Sequence, residues 1–212
     1  MEFNVADLVE AAVDRVPDRE ILVCGANRLT YAQLDARANR LAHYFHSCGL
    51  RRGQHIGIYG LNSSYWIEAM LAAYKIRAVP INVNYRYVED ELFYLFDNAD
   101  LVALVHDAQF APRIANVRHQ LPRLQHFIAI DDGSGEDGSA LRAVDYEDAV
   151  AQGGRSPPRE PCDRQAHQQD QRHLITLTFL SRFRHELADA LQILVRQLRG
   201  PAAEQRGDGL FG

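Results

Sequence analysis

Between residues 55 and 131 the chain alternates short apolar, β-prone runs with amphipathic segments at nearly constant spacing, and this alternation constrains the fold more than any other feature. HIGIYG (55–60), AVPINV (78–83), LVALVHD (101–107) and HFIAID (126–131) read as strands. NSSYWIEAMLAAYKIR (62–77), YVEDELFYLFDNA (87–99) and APRIANVRHQL (111–121) between them read as helices. Strands separated in this way have room for the crossovers that parallel pairing requires. Their apolar runs are almost continuous, as expected when both faces of a sheet are covered. The pattern predicts an α/β fold with a parallel, doubly wound sheet.

Elements at either end extend it. Asn4 is placed to cap a helix whose apolar stripe is Val5, Leu8, Val9, Ala12 and Val13, ending near Pro17. Ile21 to Val23 is extended, and GANR turns the chain into Leu29. Thr30 and Gln33 form a capping box for a helix to about Ser47, with Leu34, Ala38, Leu41, Ala42 and Phe45 as its buried face and Gly49 as its left-handed stop. After the acidic loop DDGSGEDGS (131–139), LRAVDYEDAVAQ (141–152) reads as one further helix.

Composition then changes. Residues 1–150 carry 14 basic and 21 acidic side chains, whereas residues 151–212 carry 9 and 7 and contain no lysine, tyrosine or tryptophan. Three segments are expected: a domain over 1–150, a polar linker over 151–173 expected to be disordered, and a tail over 174–212. The tail holds LITLTFL (174–180) and one amphipathic helix (181–199) with Phe183, Leu187, Leu191, Leu194, Val195 and Leu198 at helical spacing. A net charge of −5 argues against a nucleic-acid partner. With no secretory signal and no apolar run long enough to span a bilayer, the chain is expected to be cytoplasmic, with Cys24, Cys48 and Cys162 as free thiols.

Motifs of common catalytic chemistry are sparse. GIYGLNSS (57–64) could present backbone N–H groups to a phosphate, but it matches neither G-x-G-x-x-G nor G-x-x-x-x-G-K-[ST], so strand termination and helix capping is the simpler account. His43 and His46 lie three apart on a helix with no further metal ligand nearby. The acidic loop lacks the glycine of a calcium loop, and no G-x-S-x-G occurs. Lys75 is the only lysine, against 22 arginines.

LTYAQLDARANRLAHYF (29–45) and GLRRGQHIGIYGLNSSYWIEAMLAAYKIRAVPINVNYRYVEDELFYLF (49–96) resemble the N-terminal region of adenylate-forming acyl-CoA synthetases of the AMP-dependent synthetase/ligase superfamily. The likeness is to bacterial fatty-acid or steroid side-chain acid–CoA ligases and covers about residues 4–150. It rests on Y-x-Q-L with N-R-L-A, a G-strand-N-S-helix unit, and Y-K-x-x-A-V-P-I-N-x-N-Y-R. The resemblance implies ATP-dependent formation of an acyl-adenylate and transfer of the acyl group to coenzyme A, with ATP, Mg²⁺ and coenzyme A as the family's cofactors. It also matches Arg86 to an arginine that lies near a coenzyme A phosphate in some of these enzymes. Asn62 and Asn82 read as turn and sheet-edge residues rather than ligands.

The family's phosphate-binding loop, ending in P-K-G, and its catalytic lysine have no counterpart in this sequence, where GGRSPPREPCDRQAHQQDQRH (153–173) stands instead. The expectation is a truncated ligase, inactive alone, with no catalytic residue and only Arg86 as a remnant cofactor contact; frame disruption would account for the tail. The alternatives are a non-catalytic subunit completed by a separate C-terminal ligase chain, and a stand-alone interaction module that self-associates through the helix at 181–199.

Overall fold

The computed structural model describes residues 4–136 and 138–154. The expectations for residues 155–212, including the LITLTFL segment and the 181–199 helix, lie outside them.

Helix α1 (Val5–Arg15) begins as expected: the Asn4 side chain accepts from the Ala6 N–H at 2.8 Å, and the Asp7 carboxylate accepts from the Asn4 N–H at 3.1 Å. Its orientation departs from the apolar stripe. Val5 and Leu8 are 44% and 53% exposed, and the buried residue is Ala6. Polar contacts turn the helix. Asn4 Nδ2 donates to the Tyr74 carbonyl at 3.1 Å, while Asp7 pairs with Arg77 and Glu10 with Lys75. Lys75 is buried and needs a carboxylate, so the face carrying Asn4, Asp7 and Glu10 meets the domain.

Strand β1 (Glu20–Cys24) pairs antiparallel with β2 (Asn27–Thr30). Asn27–Thr30 is therefore a strand rather than a turn extension, and the turn narrows to Gly25, at φ +58°, and Ala26. Helix α2 (Tyr31–Ser47) carries both halves of the Thr30–Gln33 capping box and buries Leu34, Ala38, Leu41, Ala42 and Phe45. Gly49 follows at φ +86°.

The main sheet contains β3 (His55–Tyr59), β4 (Val79–Val83), β5 (Leu101–Asp107), β6 (His126–Ile130) and β7 (Val144–Asp145), ordered β4-β3-β5-β6-β7 and parallel throughout. Helix α3 (Ser64–Lys75) links β3 to β4, α4 (Glu89–Asn98) links β4 to β5, and α5 (Ala111–Arg118) links β5 to β6. Because β4 lies on one side of β3 and β5 on the other, the winding reverses between β3 and β5. On one face, Leu92 and Phe96 of α4 and Ile114 and Val117 of α5 form a core with Val83, Leu104 and Phe127. Each such buried side chain contributes about 1.5–3 kcal/mol of transfer free energy. Helices α2, α3 and α6 (Tyr146–Gln152) pack together, with Ala69, Ala72 and Ala73 of α3 fully buried.

The helix expected from residue 141 begins at Tyr146 instead. Arg142 takes φ +54°, Val144 and Asp145 add an edge strand beside Ile128 and Ala129, and the Asp145 carboxylate caps α6 through the Glu147 and Asp148 N–H groups at 2.8 and 3.1 Å. Beyond α6, a Cβ added to Gly153 would lie 1.9 Å from the Arg40 carbonyl oxygen, so the backbone there runs flush against α2. Among the described residues no helix is long and apolar enough to cross a membrane.

Candidate functional site

In an open doubly wound sheet the place for a ligand is the crevice beyond the carboxyl ends of the strands where the winding reverses. Here that crevice lies between the ends of β3 and β5. Strand β3 runs into Gly60 and Leu61, and β5 ends at Asp107, whose Oδ2 accepts the Leu61 N–H at 2.8 Å. A Cβ on Gly60 would sit 2.7 Å from Asp107 Oδ1, so glycine there makes room for the carboxylate. The pattern repeats one strand further on, where Asp132, just past β6, accepts the Gln109 N–H at 3.0 Å.

Burial pushes the Asp107 carboxyl above the usual carboxylate range, against the opposing pull of the Leu61 N–H, and the charge of Asp132 adds to the rise. Desolvation works to raise the Asp132 carboxyl, but the hydrogen bonds from Ser134 and Gln109 together outweigh it and hold the group below its ordinary value. His106 is wholly buried: its Nδ1 lies 2.9 Å from the Asp107 carbonyl oxygen, and Nε2 has no hydrogen-bond partner among the described residues. Desolvation lowers its pKa and so favours the neutral ring.

The turn after β4 carries Arg86. Asn84 Oδ1 accepts the Arg86 N–H at 3.0 Å, and the Tyr87 N–H donates to the Asn84 carbonyl at 3.0 Å. The Arg86 guanidinium lies 5.5 Å from the centre of the Tyr85 ring, and Nε donates to the Tyr85 hydroxyl at 3.2 Å. It is exposed and has no carboxylate partner among the described residues. Beneath the turn, Arg113 of α5 donates to the Tyr59 hydroxyl and the Tyr87 carbonyl, each at 3.3 Å, and the Tyr59 hydroxyl donates to the same carbonyl at 2.8 Å. Tyr59 in turn stacks on Phe110, with centroids 4.4 Å apart. The sequence did not single out Arg113; its one signal there is an arginine beside apolar positions, which does not name a strand end 54 residues away.

The remaining candidates are structural. Lys75 Nζ lies 2.6 Å from Glu10 Oε1 and 2.8 Å from Asp35 Oδ1, with its side chain 1% exposed. His43 and His46 are half-buried on α2, and no group of three or more His, Cys, Asp or Glu side chains is placed to hold a metal among the described residues. Asn62 is an exposed loop residue and Asn82 an exposed position of edge strand β4; Ser63 Oγ caps α3 through the Trp66 N–H at 3.2 Å. Chemically, the β4 turn offers an exposed cation to an anionic group. At the central crevice the Leu61 and Gln109 N–H groups already donate to Asp107 and Asp132, so neither is free to donate to a phosphate.

These features define a doubly wound α/β lobe with its carboxyl edge organised around Asp107, Asp132 and the Asn84–Tyr87 turn. The chain belongs to the AMP-binding enzyme family, whose model matches residues 9–179. It is 48% identical over 166 residues to a 3-oxocholest-4-en-26-oate–CoA ligase of Rhodococcus rhodochrous, a match covering 78% of this chain and 30% of that protein. A medium/long-chain-fatty-acid–CoA/3-oxocholest-4-en-26-oate–CoA ligase of Mycobacterium marinum is 47% identical over 158 residues, 74% of this chain and 28% of the relative. Among solved structures, a putative long-chain-fatty-acid CoA ligase of Rhodopseudomonas palustris superposes with a TM-score of 0.65 at 28% identity, covering 75% of this chain and 39% of that one. The chain thus spans about three-tenths of the length of the curated relatives it matches.

Proposed function

We propose that this chain supplies the N-terminal lobe of an ATP-dependent acid–CoA ligase acting on fatty or steroid side-chain acids, and that residues 1–212 alone do not turn over. The substrate class follows from what the relatives at 48% and 47% identity act on. The absence of turnover rests on one observation: the only lysine, Lys75, is buried between Glu10 and Asp35 and cannot reach a triphosphate. Developing phosphoryl charge needs cations and free N–H donors, and the Leu61 and Gln109 amides at the central crevice already donate to Asp107 and Asp132. A cytoplasmic setting belongs to the same reading, with Cys24 and Cys48 as free thiols. The test is to incubate the 212-residue chain with ATP, Mg²⁺, coenzyme A and a panel of fatty and steroid acids. Pyrophosphate release is expected to stay at the level without acid; release that depends on acid would overturn the reading.

In this reading Arg86 keeps a contact to a phosphate of coenzyme A. Its support is an exposed guanidinium, held in place by Tyr85 on a turn that Arg113 braces. Titration with coenzyme A is expected to shift the NMR signals of residues 84–87, and Arg86→Ala to abolish those shifts while leaving the rest of the spectrum unchanged. Equal shifts in the variant would remove Arg86 from the contact.

A further inference from the structure

Open doubly wound sheets present backbone N–H groups beyond their strand ends, and phosphates bind there by accepting those hydrogen bonds. In this lobe two such amides are taken by anions of the chain itself. The Leu61 N–H, on the loop after β3, donates to Asp107, 46 residues on and at the end of the neighbouring strand. The Gln109 N–H, in the 3-10 turn (Ala108–Phe110) that leads from β5 into α5, donates to Asp132, 23 residues on and just past the next strand. The Leu61 contact is not the cap of the helix that follows β3, which has its own cap in Ser63. Asp107 is buried, and the backbone makes room for it: any side chain on Gly60 would collide with its carboxylate, at 2.7 Å from Oδ1 and 3.2 Å from Oδ2.

We infer that Asp107 and Asp132 are internal occupants of the crevice between the ends of β3, β5 and β6, and that they exclude phosphate-bearing ligands from it. A phosphate seeking the Leu61 or Gln109 amide would find it already donating to a carboxylate, whose negative charge repels a second anion. Nucleotide chemistry in any assembly containing this lobe is then kept away from the lobe's own winding reversal. Exclusion of phosphate from this crevice does not depend on which acid the assembly activates.

The test follows the Leu61 and Gln109 amides of the 212-residue chain by hydrogen exchange and NMR, with inorganic phosphate added at constant ionic strength. In the unaltered protein both amides are expected to be protected and indifferent to phosphate. Asp107→Ala is expected to speed exchange at Leu61 by about tenfold or more, the size of a lost hydrogen bond to a charged acceptor, with phosphate restoring protection saturably. Gly60→Ala, which displaces the carboxylate without removing it, is expected to act at Leu61 in the same way. Asp132→Ala, at an exposed position that should not threaten folding, is expected to do so at Gln109. A saturable phosphate response at either amide in the unaltered protein would overturn the inference. So would deprotected amides in the folded variants that ignore phosphate, with Asp132→Ala sufficing if the buried variants do not fold.

Discussion

Replacing Lys75 with methionine is expected to lower the unfolding free energy by about 3–5 kcal/mol, the range for breaking a buried ion pair from one side. Its Nζ lies within 2.8 Å of carboxylate oxygens of both Glu10 and Asp35, and its side chain is 1% exposed. Without the cation, Asp35 is left charged, with the Asn39 side-chain amide donating to its Oδ2 at 2.9 Å. Glu10, 40% exposed, recovers water more easily. Urea unfolding of the two proteins gives the difference directly. Lys75→Met/Asp35→Asn should recover much of the loss, because it removes the stranded charge as well, and Glu10→Gln alone should cost no more than about 1 kcal/mol. A loss below about 1 kcal/mol for Lys75→Met would show that the pair is not desolvated in solution.

Arg37→Met is expected to be nearly as damaging, and its effect should depend on pH. Arg37 Nε donates to Glu68 at 2.8 Å, and its other nitrogens grip Glu147 at 2.7 and 3.1 Å. Burial opposes the guanidinium's charge, but the hydrogen bonds to Glu147 and Glu68 outweigh it and hold Arg37 fully ionised. Glu68, 1% exposed, also accepts the Tyr146 hydroxyl at 3.0 Å. Burial lifts its carboxyl above the ordinary range, and Arg37 pulls it partly back. Loss of Arg37 lets the folded-state pKa rise further. A carboxyl raised in the folded state favours folding when protonated, and that advantage disappears as pH climbs through the folded value. The destabilisation should therefore be about 3 kcal/mol near pH 8 and shrink steadily towards pH 5. Unfolding free energies measured across that range decide the matter, and a difference flat with pH would mean that Glu68 is not the group left charged.

Both ion-pair systems join helices on one face of the sheet, and both were invisible to pattern. Lys75 stood out in the sequence only for being the sole lysine. Its burial depends on α1 presenting Glu10 and α2 presenting Asp35 to the same point. The same demand exposes Val5 and Leu8, which a helical stripe alone would have buried. Helical periodicity identifies a face but not the surface it meets: Val9 of the α1 stripe packs against the Leu22–Leu34 cluster, while Val5 and Leu8 stay exposed.

What the sequence determined by itself was local or periodic. The cap at Asn4, the capping box at Thr30 and the stop at Gly49 depend on residues a few positions apart, and the structure reproduces each. The alternation of strands and helices determined the parallel doubly wound sheet, since parallel strands must be joined by crossovers. Arg86 was marked by the family resemblance alone, and the structure puts it on the turn after β4. Tertiary structure alone decided the rest: the pairing of β2 with β1, the two-residue edge strand β7, the Arg113–Tyr59–Tyr87 brace under the turn, and the occupation of the crevice by Asp107 and Asp132. Each of these joins groups from separate elements, and none leaves a repeat in the chain. Their partners are chosen by which buried donor or charge would otherwise go unsatisfied once the sheet has closed.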